Sequence, residues 1–390
     1  MSRVVMSREA QFGEHRLMAE QEPLRTQPGP SVALVVLSYN YGRYVAQAIE
    51  SALTQTRHYD QVIVIDDGST DDSRAVLERY RDRVELIYKN NGGQLSAALR
   101  ALDAVRCEYV HYLDSDDFLV VNARELIAEQ LVYRPSKLQF RLRCVSANGS
   151  LDSVVPAYPE NYDNTSQLRD AQLLGMSICP PTSGNVFRVD DLKALPREPL
   201  DQRDYIDGTP SMAMLYRGTV RTVSTVIANY RIHGANNGLA HAPTIAVFEQ
   251  ELTRLRRRWR ELAQIFPAIA VPKVGSTLLE LEAQNLTAAL AGQRHLGVAL
   301  TYAVRLMQSG TPIRHKLILA PWMLGLALAP RGLKASMIRS RRSAMNRSKL
   351  TRKVVGLLLG HRELDDAEDR IAVGSRQYAA PAVRKRAGGV

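Results

Sequence analysis

Three cysteines in 390 residues, Cys107, Cys144 and Cys179, are odd in number and far apart, so neither a disulfide framework nor a zinc spacing can be drawn through them. Their scarcity fits a reducing compartment. No uninterrupted apolar run reaches the roughly twenty residues that a membrane-spanning helix needs. The stretch Leu317 to Pro330, with Trp322 inside it, has fourteen residues without a charge and falls short of that length. The first thirty residues carry charges at short intervals and lack an apolar core of about seven or more, so no secretory signal is expected and the chain is read as cytoplasmic. A G-x-x-x-x-G-K-[ST] loop is missing, and no G-x-G-x-x-G follows the first strand, which excludes P-loop and dinucleotide-binding readings.

What is present is an ordinary globular composition, 45% hydrophobic and 23% charged, on a chain long enough for one large domain with additions or for two domains. The net charge is +11. The excess is heaviest after Arg331, where Arg339, Arg341, Arg342, Arg347, Lys349, Arg352 and Lys353 cluster, so an anionic partner is expected for the tail.

Residues 1–30, rich in Glu, Gln and Arg with prolines near their end, read as a disordered leader. The continuous apolar run Val32 to Leu37 then suits a strand covered on both faces. Helical spacing follows from Tyr44 to about Thr54. A second strand, Val62 to Ile65, ends in Asp66-Asp67-Gly68-Ser69-Thr70-Asp71, and a helix is expected from Ser73 to Tyr80. A short strand spans Val84 to Tyr88, a turn Lys89 to Gly93, and an Ala- and Leu-rich helix Gln94 to Val105. The next apolar run, Tyr109 to Leu113, ends abruptly in Asp114-Ser115-Asp116-Asp117. Strands alternating with helices at such intervals predict an α/β fold with a mostly parallel sheet. In such sheets ligands bind beyond the carboxyl ends of the strands, and both acid clusters fall there.

Carboxylates packed this closely raise one another's pKa values unless a cation sits among them. Helix capping would need only one of them. In a crevice they suit a nucleotide ligand: some accept hydrogen bonds from base or ribose, and others hold a hard metal that also grips phosphates. Glycines 68, 92 and 93 serve either close approach of backbone to ligand or plain turns.

Val35-Val36-Leu37-Ser38-Tyr39-Asn40, Val64 to Asp71, Asn91-Gly92-Gly93 and Leu113 to Asp117 occur in the order and near the spacing of a family 2 glycosyltransferase of the GT-A fold, which this stretch of about residues 32 to 120 resembles. The resemblance implies a nucleoside diphosphate-sugar donor, UDP- or dTDP-linked, held by Ser38, Tyr39, Asn40, Tyr44, Asp67, Asn91, Gly92, Gly93, Asp114, Ser115, Asp116 and Arg231. It implies a divalent metal, Mn²⁺ or Mg²⁺, on Asp116 or Asp117 and on His233 of the closing run Tyr230-Arg231-Ile232-His233-Gly234. Gly184 and Asn185, in a Ser-Gly-Asn turn expected before a helix, are similar to the acceptor-side segment. Leu99 and Ala101 depart from the family, which often has Asn and Gly there.

Transfer to a hydroxyl needs a base, and a carboxylate is the usual choice. Asp201, Asp204 and Asp207 are the candidates. The family's acid begins a helix that ends in a Gly, and counting back eleven residues from Gly218 reaches Asp207, with Asp204 the runner-up. Gly208 and Pro210 make that helix start atypical.

A strand from Val223 to Tyr230, an Arg-rich helix over 245–265 and two helices around Gly292 are expected beyond. The division that results is a leader, 1–30; a GT-A domain, 31–240, with a nucleotide-sugar half to about 120 and an acceptor half after it; a helical extension, 241–360; and a mobile tail, 361–390. Leu317 to Pro330 is either a buried helix or one lying at an anionic membrane surface, with Arg331 onward facing lipid. The expected activity is sugar transfer, inverting, to a hydroxyl on a lipid-linked, polysaccharide or other glycan acceptor. The rival is a non-catalytic nucleotide-sugar-binding or docking protein with a vestigial site. Nucleic acid is not an expected partner. A phosphatase with an Asp-x-Asp nucleophile fits worse: Asp66-Asp67-Gly68-Ser69 lacks the second Asp two places on, and Asp114 to Asp117 lies too late in the chain.

Overall fold

The structure is a computed structural model that describes residues 29–146, 149–159, 161–233, 245–293, 295–309 and 313–342. The sequence-based leader (all but its last two residues), the Gly234 end of the closing run and the tail lie outside them.

The first half follows the expected alternation: β1 (Val32–Ser38), α1 (Gly42–Leu53), β2 (Gln61–Asp66), α2 (Ser73–Leu77), β3 (Glu85–Tyr88), α3 (Gln94–Leu102) and β4 (Tyr109–Asp114). After a two-residue β5 (Phe118–Leu119) come α4 (Ala123–Leu131), β6 (Lys137–Ser146), β7 (Gly149–Val155), α5 (Asn164–Leu174), β8 (Asn185–Arg188), α6 (Val189–Lys193), α7 (Thr209–Arg217) and β9 (Val220–Arg231). Among the described residues one nine-stranded sheet runs β3-β2-β1-β4-β8-β6-β9-β5, with β7 on β6. Strands β3, β2, β1 and β4 are parallel. β8 is antiparallel to both β4 and β6, so the sheet turns mixed in its second half.

β1 shows why its sequence is apolar without interruption. Side chains alternate across a strand: Ala33, Val35 and Leu37 enter one core with α3 and α7, while Val32, Leu34 and Val36 enter another with α1 and α4. Both faces are covered, and all seven residues are buried. On α1, Val45, Ala48, Ile49 and Ala52 recur at helical spacing and supply the matching apolar stripe.

The C-terminal helices are α8 (Ile245–Ile265), α9 (Leu278–Leu290), α10 (Leu296–Gln308), α11 (Ile313–Leu328) and α12 (Arg331–Arg342). α8 is no mere appendage. Leu255, Trp259 and Leu262 belong to the same core as β1 and α3, and the Trp259 indole donates to the Gly175 carbonyl at 2.8 Å. Removing so large a buried side chain costs about 3–5 kcal/mol. α9 opens with a reciprocal Thr277 and Glu280 capping box and packs with α10, α11 and α12 around smaller cores of its own.

Candidate active site

Parallel register aligns the strand ends. Ser38 stands beside Asp66, and Leu37 beside Asp114, so both acid clusters meet at one edge of the sheet. Asp66 is spent locally: the Ser69 hydroxyl and backbone N–H both donate to its carboxylate. Asn40, with φ at 56°, accepts from the Thr70 N–H at 2.7 Å, so the loops after β1 and β2 are stitched together. Asp67 receives the Lys89 ammonium and the N–H groups of Gly92 and Gly93, at 3.0 and 2.8 Å. The Asn91-Gly92-Gly93 turn is thereby pinned to the second strand. Gly93 sits at φ 97°, and a Cβ there would come within 2.6 Å of the Arg203 Cα, so a side chain is excluded on both counts.

The second cluster divides by direction. Asp114 accepts from the Gln94 amide at 2.7 Å and faces the cleft. Burial, then the neighbouring Asp116, Asp117 and Asp207 carboxylates, holds its pKa well above the usual carboxylate range. Asp116 also faces the cleft, and one of its oxygens lies 2.9 Å from His233 Nε2. Asp117 points inward. Its oxygens accept from the Ser183 hydroxyl at 2.6 Å and the Arg231 N–H at 2.9 Å, and burial with the Asp116 charge pushes its pKa to about 8. Of the two carboxylates left open as metal ligands, Asp116 lines the cleft and Asp117 does not. The Arg231 guanidinium is braced by the Asp116 carbonyl at 2.7 Å and by Gln47 at 2.6 Å, and it lies over the Tyr44 ring. Tyr44 and Tyr41 pack against His233. Among the described residues no group of three His, Cys, Asp or Glu forms a ready metal cage.

The two leading base candidates part completely. Asp204 is buried and held by Arg258, Nε to Oδ2 at 2.8 Å and Nη2 to Oδ1 at 2.7 Å, with Arg257 at 3.1 Å. Burial alone would raise its pKa; the Arg258 bonds outweigh that and lower it. Asp201 pairs with Arg257 as well. Asp207 lines the cleft, and no other residue's hydrogen bond or ion pair holds its carboxylate among the described residues. Burial raises its pKa. Two residues later α7 begins, ending at Gly218 as the spacing argument required. The odd Gly208 has a cause: a Cβ there would lie 2.7 Å from Arg258 Nη2, so the guanidinium occupies the space a side chain would take.

The cleft encloses about 590 Å³. Of the expected residues it brings together Ser38, Tyr39, Asp67, Asn91, Gly93, Asp114, Ser115, Asp116 and Asp207. Asn40, Tyr44, Gly92, Asp117, Arg231, His233 and Asp204 lie outside that lining. Gly184 and Asn185 do too: the Asn185 amide donates to the Pro180 and Pro181 carbonyls, and the turn leads into strand β8, correcting the expected helix. Leu99 and Ala101, where the sequence departs from the family, are buried in the core and touch nothing in the cleft. Sequence reasoning missed Gln94, Cys179, Thr182, Arg203, Tyr205 and Arg254 as lining residues. Gln94 follows the glycine turn directly and was within reach. Arg254 comes from α8, far along the chain, and only the fold brings it there.

The family model "Glycosyl transferase family 2" matches residues 33–139. An uncharacterized glycosyltransferase of Nostoc sp. is 32% identical over 228 residues, which span 56% of this chain and 70% of that protein. The chain belongs to glycosyltransferase family 2. It is an enzyme of that class, with the family's GT-A type of α/β fold. The chondroitin synthase of Escherichia coli is 35% identical over 127 residues, 32% of this chain and 18% of that protein. A crystal structure of Staphylococcus aureus TarS with UDP aligns over 80% of this chain and 91% of that one, at a TM-score of 0.44 and 15% identity. Among the described residues of this glycosyltransferase no helix is long and apolar enough to cross a membrane.

Proposed function

We propose that this glycosyltransferase moves a sugar from a UDP- or dTDP-linked donor to a hydroxyl of a lipid-linked, polysaccharide or other glycan acceptor, with inversion. The observation that carries the reading is Asp207, an unheld carboxylate at the cleft, facing the same space as Asp114 and Asp116. A carboxylate with a raised pKa is a better proton acceptor than an ordinary one. Asp207 takes the proton from the acceptor hydroxyl oxygen, which attacks the anomeric carbon from the face opposite the diphosphate. The single displacement inverts that centre.

Asp67, Ser38, Tyr39 and Asn91 take the nucleoside end of the cleft, and Gly92 and Gly93 hold the turn beside it. Asp114, Ser115 and Asp116 take the ribose and diphosphate region. Arg231, fixed by Gln47 and the Asp116 carbonyl, keeps positive charge behind the departing diphosphate. The donor set fits a hard divalent cation, Mn²⁺ or Mg²⁺. Asp116 and His233 are adjacent, and such ions take one or two protein ligands while substrate phosphates complete the shell. When bound, the ion neutralises the leaving diphosphate.

Two relatives make polysaccharides by name, the chondroitin synthase above and a hyaluronan synthase of Pasteurella multocida, 34% identical over 106 residues. This chain spans only 18% and 11% of them, so they support the glycan class of acceptor and no particular sugar. For partners, the reading includes an anionic membrane surface near the C-terminal helices; nucleic acid is not among them.

A vestigial, binding-only site was motivated by Leu99, Ala101 and Gly208. The first two are core residues and the third makes room for Arg258, so none of these departures removes a cleft group. The test is a screen of nucleotide sugars for Mn²⁺- or Mg²⁺-dependent release of nucleoside diphosphate. Turnover with one donor is expected. Absence of binding to every nucleotide sugar and nucleoside diphosphate would overturn the reading, and tight binding without turnover on a broad acceptor panel would favour the vestigial one.

A further inference from the structure

α10 is apolar on two faces, and the fold buries only one. Ala299, Tyr302 and Leu306 are buried against its neighbours. Leu296, Leu300, Val304 and Met307, spaced four, four and three residues apart, line the outward face and are 42%, 49%, 58% and 53% exposed. Nothing in the chain's described residues covers them. Arg305 borders the shallow surface formed by Leu300, Thr301 and Val304. At the end of the helix Lys316 donates to the Met307 carbonyl at 2.7 Å, which sets a second cation beside the stripe, next to the exposed Leu317.

The charge of the surrounding chain is one-sided. Between Glu282 and Glu363 the sequence has no Asp or Glu and fourteen Lys and Arg. An apolar stripe bordered by cations, in a stretch of chain without acids, matches a surface that is apolar within and negative at its rim, as an anionic bilayer is. A second copy of the chain fits less well. Four half-exposed side chains make a patch of a few hundred Å², short of the roughly 800 Å² each partner gives a stable dimer, and two such faces would repel.

We propose that the outward face of α10 docks this glycosyltransferase on an anionic lipid surface, with Leu296, Leu300, Val304 and Met307 entering the headgroup boundary and Arg305 and Lys316 at the phosphates. This deepens the membrane-surface reading above and moves it along the chain. Of the two alternatives for Leu317 to Pro330, a buried helix or one at a membrane surface, the burial of Met323, Leu326 and Ala327 and the packing of Trp322 on the cores beneath support the first for its inner face, while Leu317 and Leu328 stay exposed.

The test is flotation of the full chain with phosphatidylcholine vesicles, with and without phosphatidylglycerol. The wild type is expected to float only with the phosphatidylglycerol vesicles. The Leu300→Glu, Val304→Glu double variant should lose at least about ten-fold in partition, while Val121→Glu, an equally exposed site on the sheet domain, floats like wild type. Nucleoside diphosphate release from the donor with a water-borne acceptor should be the same in all three. A wild type that stays unbound, or a double variant that floats as well as wild type, would overturn the proposal. So would sedimentation showing that the double variant converts a dimer to a monomer, since a second copy would then own the face. None of these results depends on which sugar is transferred, so this proposal and the transfer reading fail separately.

Discussion

Arg258 on α8 grips Asp204 with two hydrogen bonds, 2.8 and 2.7 Å, three residues before the carboxylate that faces the cleft. The helix that appeared in sequence as a basic extension therefore braces the loop that presents Asp207. Glu261, one turn on, reinforces it through the Asp201 N–H and the Thr209 hydroxyl.

Asp204→Asn and Asp207→Asn should differ in kind. Losing one partner of a buried ion pair leaves an uncompensated charge and costs about 3–5 kcal/mol, so Asp204→Asn should lower the denaturant midpoint markedly. Asp207→Asn should leave the midpoint unchanged or higher and cut kcat by roughly 10²- to 10⁴-fold, with donor affinity nearly constant. Chemical unfolding beside steady-state kinetics separates them.

Gly208→Ala should act on the same brace. Its Cβ would meet the Arg258 guanidinium at 2.7 Å, and that side chain is pinned and cannot yield. The expected result is a loss of about 1–3 kcal/mol with kcat reduced, both relieved in part by Arg258→Lys.

Asp116→Asn should weaken Mn²⁺-dependent nucleoside diphosphate binding, read by calorimetry, and leave the fold intact. Asp117→Asn should chiefly lower thermal stability, because an amide offers one oxygen where the Ser183 hydroxyl and the Arg231 N–H use two. Equal losses of metal affinity in both variants would show that Asp117 reaches the ion after all.

Stability should depend on pH through the same cluster. Asp117 has a folded pKa raised to about 8 by burial and Asp116, and Asp114 is raised too. A carboxyl with a raised folded pKa contributes stability below its unfolded value near 3.8 and loses it as pH rises through the folded one. Metal-free protein should therefore give up this contribution between about pH 4 and pH 8. Mn²⁺ should raise Tm more at pH 8 than at pH 5, where protons already do part of the work of neutralising the cluster. A metal-induced shift that does not grow with pH would contradict this.

Much of the nucleotide half was legible because each signal is local. Uninterrupted apolar runs gave β1, β2 and β4, and the acids that end them follow within a few residues. The Gly218 interval reached Asp207 because one short helix separates the two. The different surroundings of Asp116 and Asp117 were illegible, since adjacent carboxylates have the same chemistry and only packing against Ser183 and β9 tells them apart. Gly184 and Asn185 lie outside the cleft lining, and a turn-forming pair in sequence does not say which side of a wall it takes. Arg254, Arg258 and Glu261 lay hidden in an Arg-rich helix whose partners are some fifty residues earlier, a pairing that no periodicity records. The α10 stripe was equally hidden, because an apolar residue in sequence does not say which neighbour covers it.

The central claim is that Asp207 is the base, and the pH profile of kcat/KM for the wild type and Asp207→Glu tests it most directly. The account predicts an acidic limb whose midpoint lies above that of an ordinary carboxylate, because burial raises the Asp207 pKa. It also predicts that Asp207→Glu moves that limb while Asp207→Asn abolishes it along with most of the rate. An acidic limb that stays in place in Asp207→Asn, at near wild-type turnover, would contradict it.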